Sequence, residues 1–339
     1  MVMQDAIRAL IDRGDLRPEE AAAALEFIMT GQASDAQIAA FLAALRVRGE
    51  TAKVVAACLE VMQAHAEPVP VEDVIDLCGT GGDGMDTFNV STAAGFVVAA
   101  TGVRVAKHGN RAMSSKCGSA DLLEALGART DLNGEQAARA IDECGFGFLF
   151  AQRFHPAMKH VAAARREMGV RTIFNILGPL SNPARPRGQL VGVGAAWIGP
   201  LVAEALALRG MRSAMVVHSA NGLDEISPEG PTHAWIVREG SVTEEELRPA
   251  DFGLPEHPLE SVLGSDPEAN ARTLRTVFAG GDGAVADFVV MNAAAACFMA
   301  GAVDSLKDGA RLCKEAIASG RAGKVLDRYV ALTHEVAGG

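Results

Sequence analysis

From residue 74 onward, short apolar runs alternate with segments of helical periodicity, and this alternation restricts the fold more than any other feature. The runs are VIDLC (74–78), VRVAKHG (103–109), FGFLF (146–150), QLVGVG (189–194), SAMVVHS (213–219) and HAWIV (233–237). Helical patterns cover 91–101, 119–126, 156–168 and 199–209, and three more helical segments finish the chain. Strands that regularly alternate with helices pair mainly in parallel and are covered by those helices. The expected fold class is therefore α/β, with a mainly parallel central sheet flanked by helices.

The first 66 residues have a different texture, helix after helix. Pro18 opens PEEAAAALEFIMTG with acids in its first turn, Ser34 or Asp35 can cap the next helix, and Thr51 the one after. Ile38, Phe41, Leu42 and Leu45 recur at helical spacing. EPVPVED then breaks the pattern with two prolines. The expected division is a small all-helical domain (1–66), a hinge (67–73) and a larger α/β domain (74–339).

At 339 residues the chain can bury a large core without staples, and with 5% aromatics that core must be mostly Ala, Val and Leu. The net charge of −11 argues against a nucleic-acid partner, which usually needs a basic face. It leaves room for a small anion in a local basic pocket. Six cysteines without C-x-x-C spacing favour a reducing, cytoplasmic setting over disulfides or zinc. The N-terminus lacks an apolar signal core. Residues 284–303 are nearly long enough to span a bilayer, but Asp287, Asn292 and the many alanines favour a buried soluble helix and no membrane partner.

The strongest local signal is DLCGTGGDGMDTFNVST (76–92). A strand ends at Cys78, Gly79-Thr80-Gly81-Gly82-Asp83 follows, and Asn89-Val90-Ser91-Thr92 opens a helix. Glycines at such a turn let backbone amides approach an anion, and the helix N-terminus adds more amides and hydroxyls. Standing alone, the loop is equally consistent with a plain tight turn. It matches neither a dinucleotide fingerprint nor a P-loop. A second loop, Lys107 to Lys116, again follows a strand and carries a cluster of cations, with Ser119 a plausible cap of the next helix. Two such loops after consecutive strands point to a ligand with two separated phosphates. Asp224-Glu225 follows SAMVVHS, and adjacent carboxylates beside a diphosphate can hold Mg²⁺.

GTGGDGMDTFNVST, KHGNRAMSSKCGSADLLEALG, FHPAMKHVAAARREMGVRTIFNILGPLSNPA and GLDEIS occur in that order. Together they resemble the anthranilate phosphoribosyltransferase family over essentially the whole chain. The resemblance implies a homodimer formed through the helical domain and a reaction of phosphoribosyl diphosphate with anthranilate in tryptophan biosynthesis. It implies that Gly79, Gly82, Asp83, Thr87, Asn89, Val90, Ser91 and Thr92 line the phosphoribosyl diphosphate site. Lys107, His108, Gly109, Asn110, Arg111, Ala112, Met113, Ser114, Ser115 and Ser119 would close over it. Ser91, Asp224 and Glu225 would bind Mg²⁺, as two ions. Gly79, Asn110 and Arg165 would contact anthranilate, while His108, His155 and Pro179 shape its channel. Lys107 and Arg165 are the residues expected to carry catalysis.

The chain departs from the family pattern at Gln152, where Pro is common, at Ala163-Ala164, where Pro-Val is common, and at His218-Ser219-Ala220. These affect the channel rather than the phosphate ligands. Two other readings fit the same architecture: a pyrimidine nucleoside phosphorylase, and a non-enzymatic relative that binds nucleic acid.

Overall fold

The computed structural model describes residues 2–112 and 115–337, so the expected ligands Met113 and Ser114 lie outside the described residues. The helical part contains α1 (Val2–Arg8, continued by a π-turn to Arg13), α2 (Pro18–Met29), α3 (Asp35–Arg48) and α4 (Ala52–Ala64). Its boundaries follow the capping chemistry. Pro18 is the first residue of α2, and the Glu20 carboxylate accepts the Arg17 amide at 3.1 Å. Between Ser34 and Asp35, Ser34 is the cap: it accepts the Gln37 amide, and Gln37 returns the contact to the Ser34 amide. Thr51 caps α4 through the Val54 amide.

The α/β part runs β1 (Ile75–Gly79), α5 (Val90–Ala100), β2 (Val105–Gly109), α6 (Ser119–Ala125), α7 (Gly134–Cys144), β3 (Phe146–Phe150), α8 (Ala151–Phe154), α9 (Lys159–Met168), α10 (Ile173–Leu180), β4 (Gly188–Gly192), α11 (Ile198–Leu208), β5 (Ser213–Ser219), β6 (Thr232–Arg238) and β7 (Ser241–Leu247). Helices α12 (Pro267–Phe278), α13 (Ala284–Met299), α14 (Leu306–Ala318) and α15 (Arg321–Ala337) complete it.

One seven-stranded sheet has the order β3-β2-β1-β4-β5-β6-β7. The first five strands are mutually parallel, and β6 and β7 are antiparallel additions. The chain leaves β1 toward β2 and β3, then returns to lay β4 on the other side of β1. The direction of winding therefore reverses between β1 and β4, where open α/β sheets place their ligands. Helices α5 and α13 to α15 cover one face around Phe96, Phe146 and Tyr329. The other face shares a continuous core with the helical part, where α4 packs on α10 and α11, and α2 and α3 pack on α9.

Several sequence expectations require correction. Four helices, not three, end the chain, because the left-handed Gly280 and Gly283 separate α12 from α13. The pattern at 156–168 is a 3₁₀ turn (Pro156–Met158) followed by α9. The cap position of α6 belongs to Gly118, not Ser119, which is the first helical residue; the Asp121 carboxylate receives the Gly118 amide at 2.9 Å. Helix α7, helix α10 and strand β7 went unrecognised. β7 (SVTEEEL) is an exposed acidic edge with no apolar face to betray it. The apolar stretch near residue 290 is the buried helix α13, and among the described residues no helix is long and apolar enough to cross a membrane.

The 67–73 link has no helix or strand but is tethered. The Glu67 amide donates to Phe154 O at 2.9 Å, the Glu67 carboxylate pairs with Arg153, and Val69 is buried.

Candidate active site

Bare glycines allow three loops to meet at the carboxyl ends of β1 and β4. A Cβ on Gly192 would lie 1.5 Å from Asp224 O, and one on Gly79 would lie 2.6 Å from Asp224 Oδ2. The turn after β5 can therefore settle directly onto the strand ends. Asp224 Oδ2 accepts the Gly81 amide at 2.7 Å, and the Asp224 amide donates to Asp83 Oδ2 at 3.4 Å. Thr80 ties the loop to β4, donating its amide to Gly192 O and accepting Gly194 N–H on its hydroxyl. Gly81, Gly82 and Gly84 all have left-handed φ, which β-carbon-bearing residues rarely adopt.

The acids here are crowded and poorly hydrated. Burial, and then the neighbouring Asp83, push the Asp224 carboxyl up to about 7. Burial and Asp224 raise Glu225 well above the usual carboxylate range, with Lys107 opposing. Like charges so placed favour a cation between them. The donor set of carboxylates and a serine hydroxyl has the hard-oxygen chemistry that Mg²⁺ requires.

Lys107 lies beneath this group. Its side chain is 1% exposed, and its ammonium donates to Leu77 O at 2.7 Å and to Ser91 Oγ at 3.1 Å. Burial pulls its pKa below the ordinary lysine value, while Asp76 and Glu225 oppose that shift. Lys107 therefore supports Ser91 from behind rather than projecting into solvent. Thr92 Oγ1 is buried without a partner among the described residues.

The second loop folds back on itself. Asp121 Oδ2 receives the amides of Ala112 and Gly118 at 2.8 and 2.9 Å; burial pushes its pKa up, but these bonds together with Arg111 leave it below the ordinary value. Arg111 makes two 2.6 Å contacts to Glu124, so its charge is already paired. Asn89 links the two loops: its Nδ2 donates to Cys117 O at 2.8 Å, and its Oδ1 accepts Asn270 Nδ2 at 3.0 Å. Thr87 pairs with Leu263, Ser115 is exposed and Ser119 half-buried, and Gly109 packs against Phe148 and Ser119.

The residues expected around the aromatic acid lie at the end of β1 (Gly79), on or just after β2 (His108, Asn110), just after α8 (His155), and on α9 (Arg165) and α10 (Pro179). Asn110 Oδ1 receives the Arg111 amide at 2.8 Å and Gln152 Nε2 at 3.3 Å, which leaves Nδ2 for a ligand. Arg165 is half-buried with its guanidinium 5.3 Å from the centre of the Phe174 ring, and has no carboxylate partner among the described residues. His108 and His155 pack edge to face at 5.1 Å. Burial holds His155 down at about 4, and burial, His155 and Lys107 hold His108 lower than an ordinary histidine. Both rings are consequently uncharged near neutral pH. Pro179 O receives Cys78 Sγ and Gln189 Nε2.

Sequence reasoning missed several supporting residues. Asp76 accepts the His108 amide and Gln189 Nε2, fixing β2 and β4 on either side of β1. Asn292 of α13 accepts the Ile226 amide and donates to Ile226 O, both at 3.1 Å, and so braces the turn that carries Asp224 and Glu225. An Asn within an otherwise apolar helix was the visible signal. Arg171 donates from Nη1 to Gly81 O at 2.9 Å. A recess of about 150 Å³ lies between Arg46 and Glu50 of the helical part and Gly82, Arg171 and Asn175 of the α/β part.

Family comparisons agree with this architecture. Residues 71–323 match the glycosyl transferase family a/b domain, and residues 4–66 match the helical bundle domain of the same family. An anthranilate phosphoribosyltransferase of Thermomicrobium roseum is 50% identical, over 94% of this chain and 93% of that one. That of Rubrobacter xylanophilus is 48% identical over 99% of each. Among solved structures, the Thermus thermophilus enzyme superposes with a TM-score of 0.92 at 44% identity, covering 97% of this chain and 99% of that one. The Saccharomyces cerevisiae enzyme in complex with PRPP and Mg superposes with a TM-score of 0.91 at 30% identity, covering 98% of each.

Proposed function

The chain belongs to the anthranilate phosphoribosyltransferase family, and from that premise we infer that it transfers the phosphoribosyl group of 5-phosphoribosyl 1-diphosphate to anthranilate, releasing pyrophosphate, in tryptophan biosynthesis. The observation that carries the reading is the meeting of the glycine loop with the buried Asp224 and its half-buried neighbour Glu225 where the sheet reverses its winding.

The amine nitrogen forms a bond to ribose C1 as the C1–O bond to diphosphate breaks. The electron pair of that bond leaves with the diphosphate, and a proton leaves the nitrogen. Such a reaction at an anomeric carbon passes through an oxocarbenium-like state. The protein must therefore accommodate charge on the leaving group and aim the nucleophile. The amides of the glycine loop and the start of α5 receive phosphate, with Asn89 and the second loop holding the far side.

Asp224, Glu225 and Ser91 would hold magnesium, and we assign two ions. When bound, the metal neutralises charge on the departing diphosphate. Lys107 acts through Ser91 and Glu225 rather than by direct contact, which fits its burial. The Arg165 guanidinium pairs with the anthranilate carboxylate, assisted by Asn110 Nδ2. The uncharged His108 and His155, with Pro179, line a channel that does not trap the acid by ion pairing.

Formation of fluorescent phosphoribosylanthranilate from the two substrates, with and without Mg²⁺, tests the reading. Phosphorolysis of thymidine or uridine in its place would return it to the nucleoside phosphorylase alternative. The helical part forms the proposed homodimer interface, and the 67–73 link is the proposed pivot for closure. Unchanged solution scattering on adding both ligands would remove the pivot. Six unpaired, buried cysteines support the proposed cytoplasmic location.

A further inference from the structure

We propose that Arg171 is a positioning residue for the diphosphate loop, an inference that rests on the function proposed above. Gly81 is held from both sides. Its amide donates to Asp224 Oδ2 at 2.7 Å, and its carbonyl accepts Arg171 Nη1 at 2.9 Å. A trans peptide is planar, so the N–H of Gly82 points opposite to the carbonyl of Gly81. By fixing that carbonyl, Arg171 turns the Gly82 amide away from itself and fixes its direction.

The contact is closely fitted. A Cβ on Gly82 would lie 1.9 Å from Arg171 Nη1. A Cβ there would push the guanidinium off the Gly81 carbonyl, and the left-handed φ of +74° disfavours any other residue. A run with left-handed Gly81, Gly82 and Gly84 has much conformational freedom to lose when it closes on an anion. A group that holds the loop in the binding geometry beforehand removes part of that cost. Among the described residues Arg171 Nη2 is buried without a partner and Arg171 makes no ion pair.

Arg171 also occupies a telling place in the chain. It follows the left-handed Gly169 that ends α9 and precedes Thr172, the cap residue of α10. The segment that presents Arg165 to the aromatic acid thus continues, six positions on, to the clamp on the diphosphate loop. One rigid helix–turn–helix unit serves both substrates.

The test compares wild type, Arg171→Ala, Arg171→Gln and the pair Gly82→Ala with Gly82→Ala/Arg171→Ala. Calorimetry with phosphoribosyl diphosphate and Mg²⁺ gives affinity, and steady-state rates give KM for each substrate. Arg171→Ala should weaken diphosphate binding about tenfold, the value of one charge-assisted hydrogen bond, while the anthranilate KM stays within about twofold. Arg171→Gln, which keeps one donor, should recover part of the loss. Gly82→Ala and Arg171→Ala should be less than additive when combined, because removing the guanidinium relieves the clash. Diphosphate affinity equal to wild type in both Arg171 variants overturns the inference, as do strictly additive effects. If Arg171→Ala does not fold, Arg171→Gln and the Gly82 pair decide. A wild type that binds no phosphoribosyl diphosphate overturns the parent reading, and this inference with it.

Discussion

The Asp224 carboxylate accepts the Gly81 amide across 143 positions of sequence, so the acidic turn and the diphosphate loop form one unit. Asp83 crowds Asp224 and Glu225 there, and burial with this crowding raises the pKa values of Asp224 and Glu225. Replacing Asp224 by Asn together with Glu225 by Gln should remove mutual repulsion while abolishing the cation site. We expect a melting temperature no lower than wild type, and a fall in Mg²⁺-dependent kcat on the order of a hundredfold. Rates measured against Mg²⁺ concentration check this; a wild-type metal response would sink the assignment.

Arg165 offers a cation with no carboxylate partner among the described residues, braced on the Phe174 ring. Arg165→Ala should raise KM for anthranilate by about ten- to a hundredfold, since a charge-assisted hydrogen bond contributes ~1.5–3 kcal/mol. The KM for phosphoribosyl diphosphate should change little. Gln152→Ala removes only one support of Asn110 and should cost anthranilate binding about twofold to fivefold. An effect of either change confined to the diphosphate would place the aromatic acid elsewhere.

His155 ties stability to pH. Its folded-state pKa is depressed to about 4 from an ordinary 6.5, because burial disfavours the imidazolium. The unfolded chain therefore binds a proton that the folded chain refuses. The contribution is full above the unfolded value and is lost as pH falls toward 4. Between about pH 7 and pH 5 this one residue should cost about 2 kcal/mol. Urea melts of wild type and His155→Gln at both pH values measure the difference. Equal pH slopes would mean that His155 is not buried as a neutral ring.

The exposed Val47 lies one residue before Arg48, whose guanidinium donates to Leu10 O and Ile11 O, and Ile11 is also exposed. We assign both exposed apolar side chains to the proposed dimer surface. Val47→Asp should raise the dimer dissociation constant at least tenfold, as measured by sedimentation, with catalysis per chain largely retained. A wild type that sediments as a monomer at micromolar concentration would remove the dimer.

The parts of the site legible in the sequence were those in which local chemistry and chain order coincide. The strand–glycine–helix succession at 75–100 and the two-proline break at 68–70 announce themselves because turns and helix starts are local events. Partners such as Asp224 and Gly81 belong to loops far apart in the chain; the chemistry of adjacent carboxylates near a diphosphate loop suggested their association, but periodicity could not show the direct contact. Gly118 was missed as the cap of α6 because Ser119 is the better cap by type, whereas packing against Ala112 leaves no room for a Cβ at 118. Arg171 gave no signal, since an arginine before a threonine cap usually faces water.

Asn292 spoke against a membrane span in sequence and has a bracing role in the fold. Its amide closes two hydrogen bonds with the backbone of Ile226, next to Glu225, and donates a third to Phe288 O at 3.0 Å. Replacing it by Leu fits the apolar helix but leaves a buried N–H and a buried C=O at Ile226 unpaired. Each such group costs ~1–3 kcal/mol, so Asn292→Leu should lower stability by about 2–5 kcal/mol. The freed turn would also hold Asp224 and Glu225 less firmly. We expect apparent Mg²⁺ affinity in turnover to fall about tenfold even where the variant is fully folded. Asn292→Asp keeps the acceptor for the Ile226 amide but loses the donor, and should fall between Leu and wild type in stability. Chemical denaturation and Mg²⁺ titration of the three proteins test both effects. A Leu variant as stable as wild type would show that Asn292 does not brace the acidic turn.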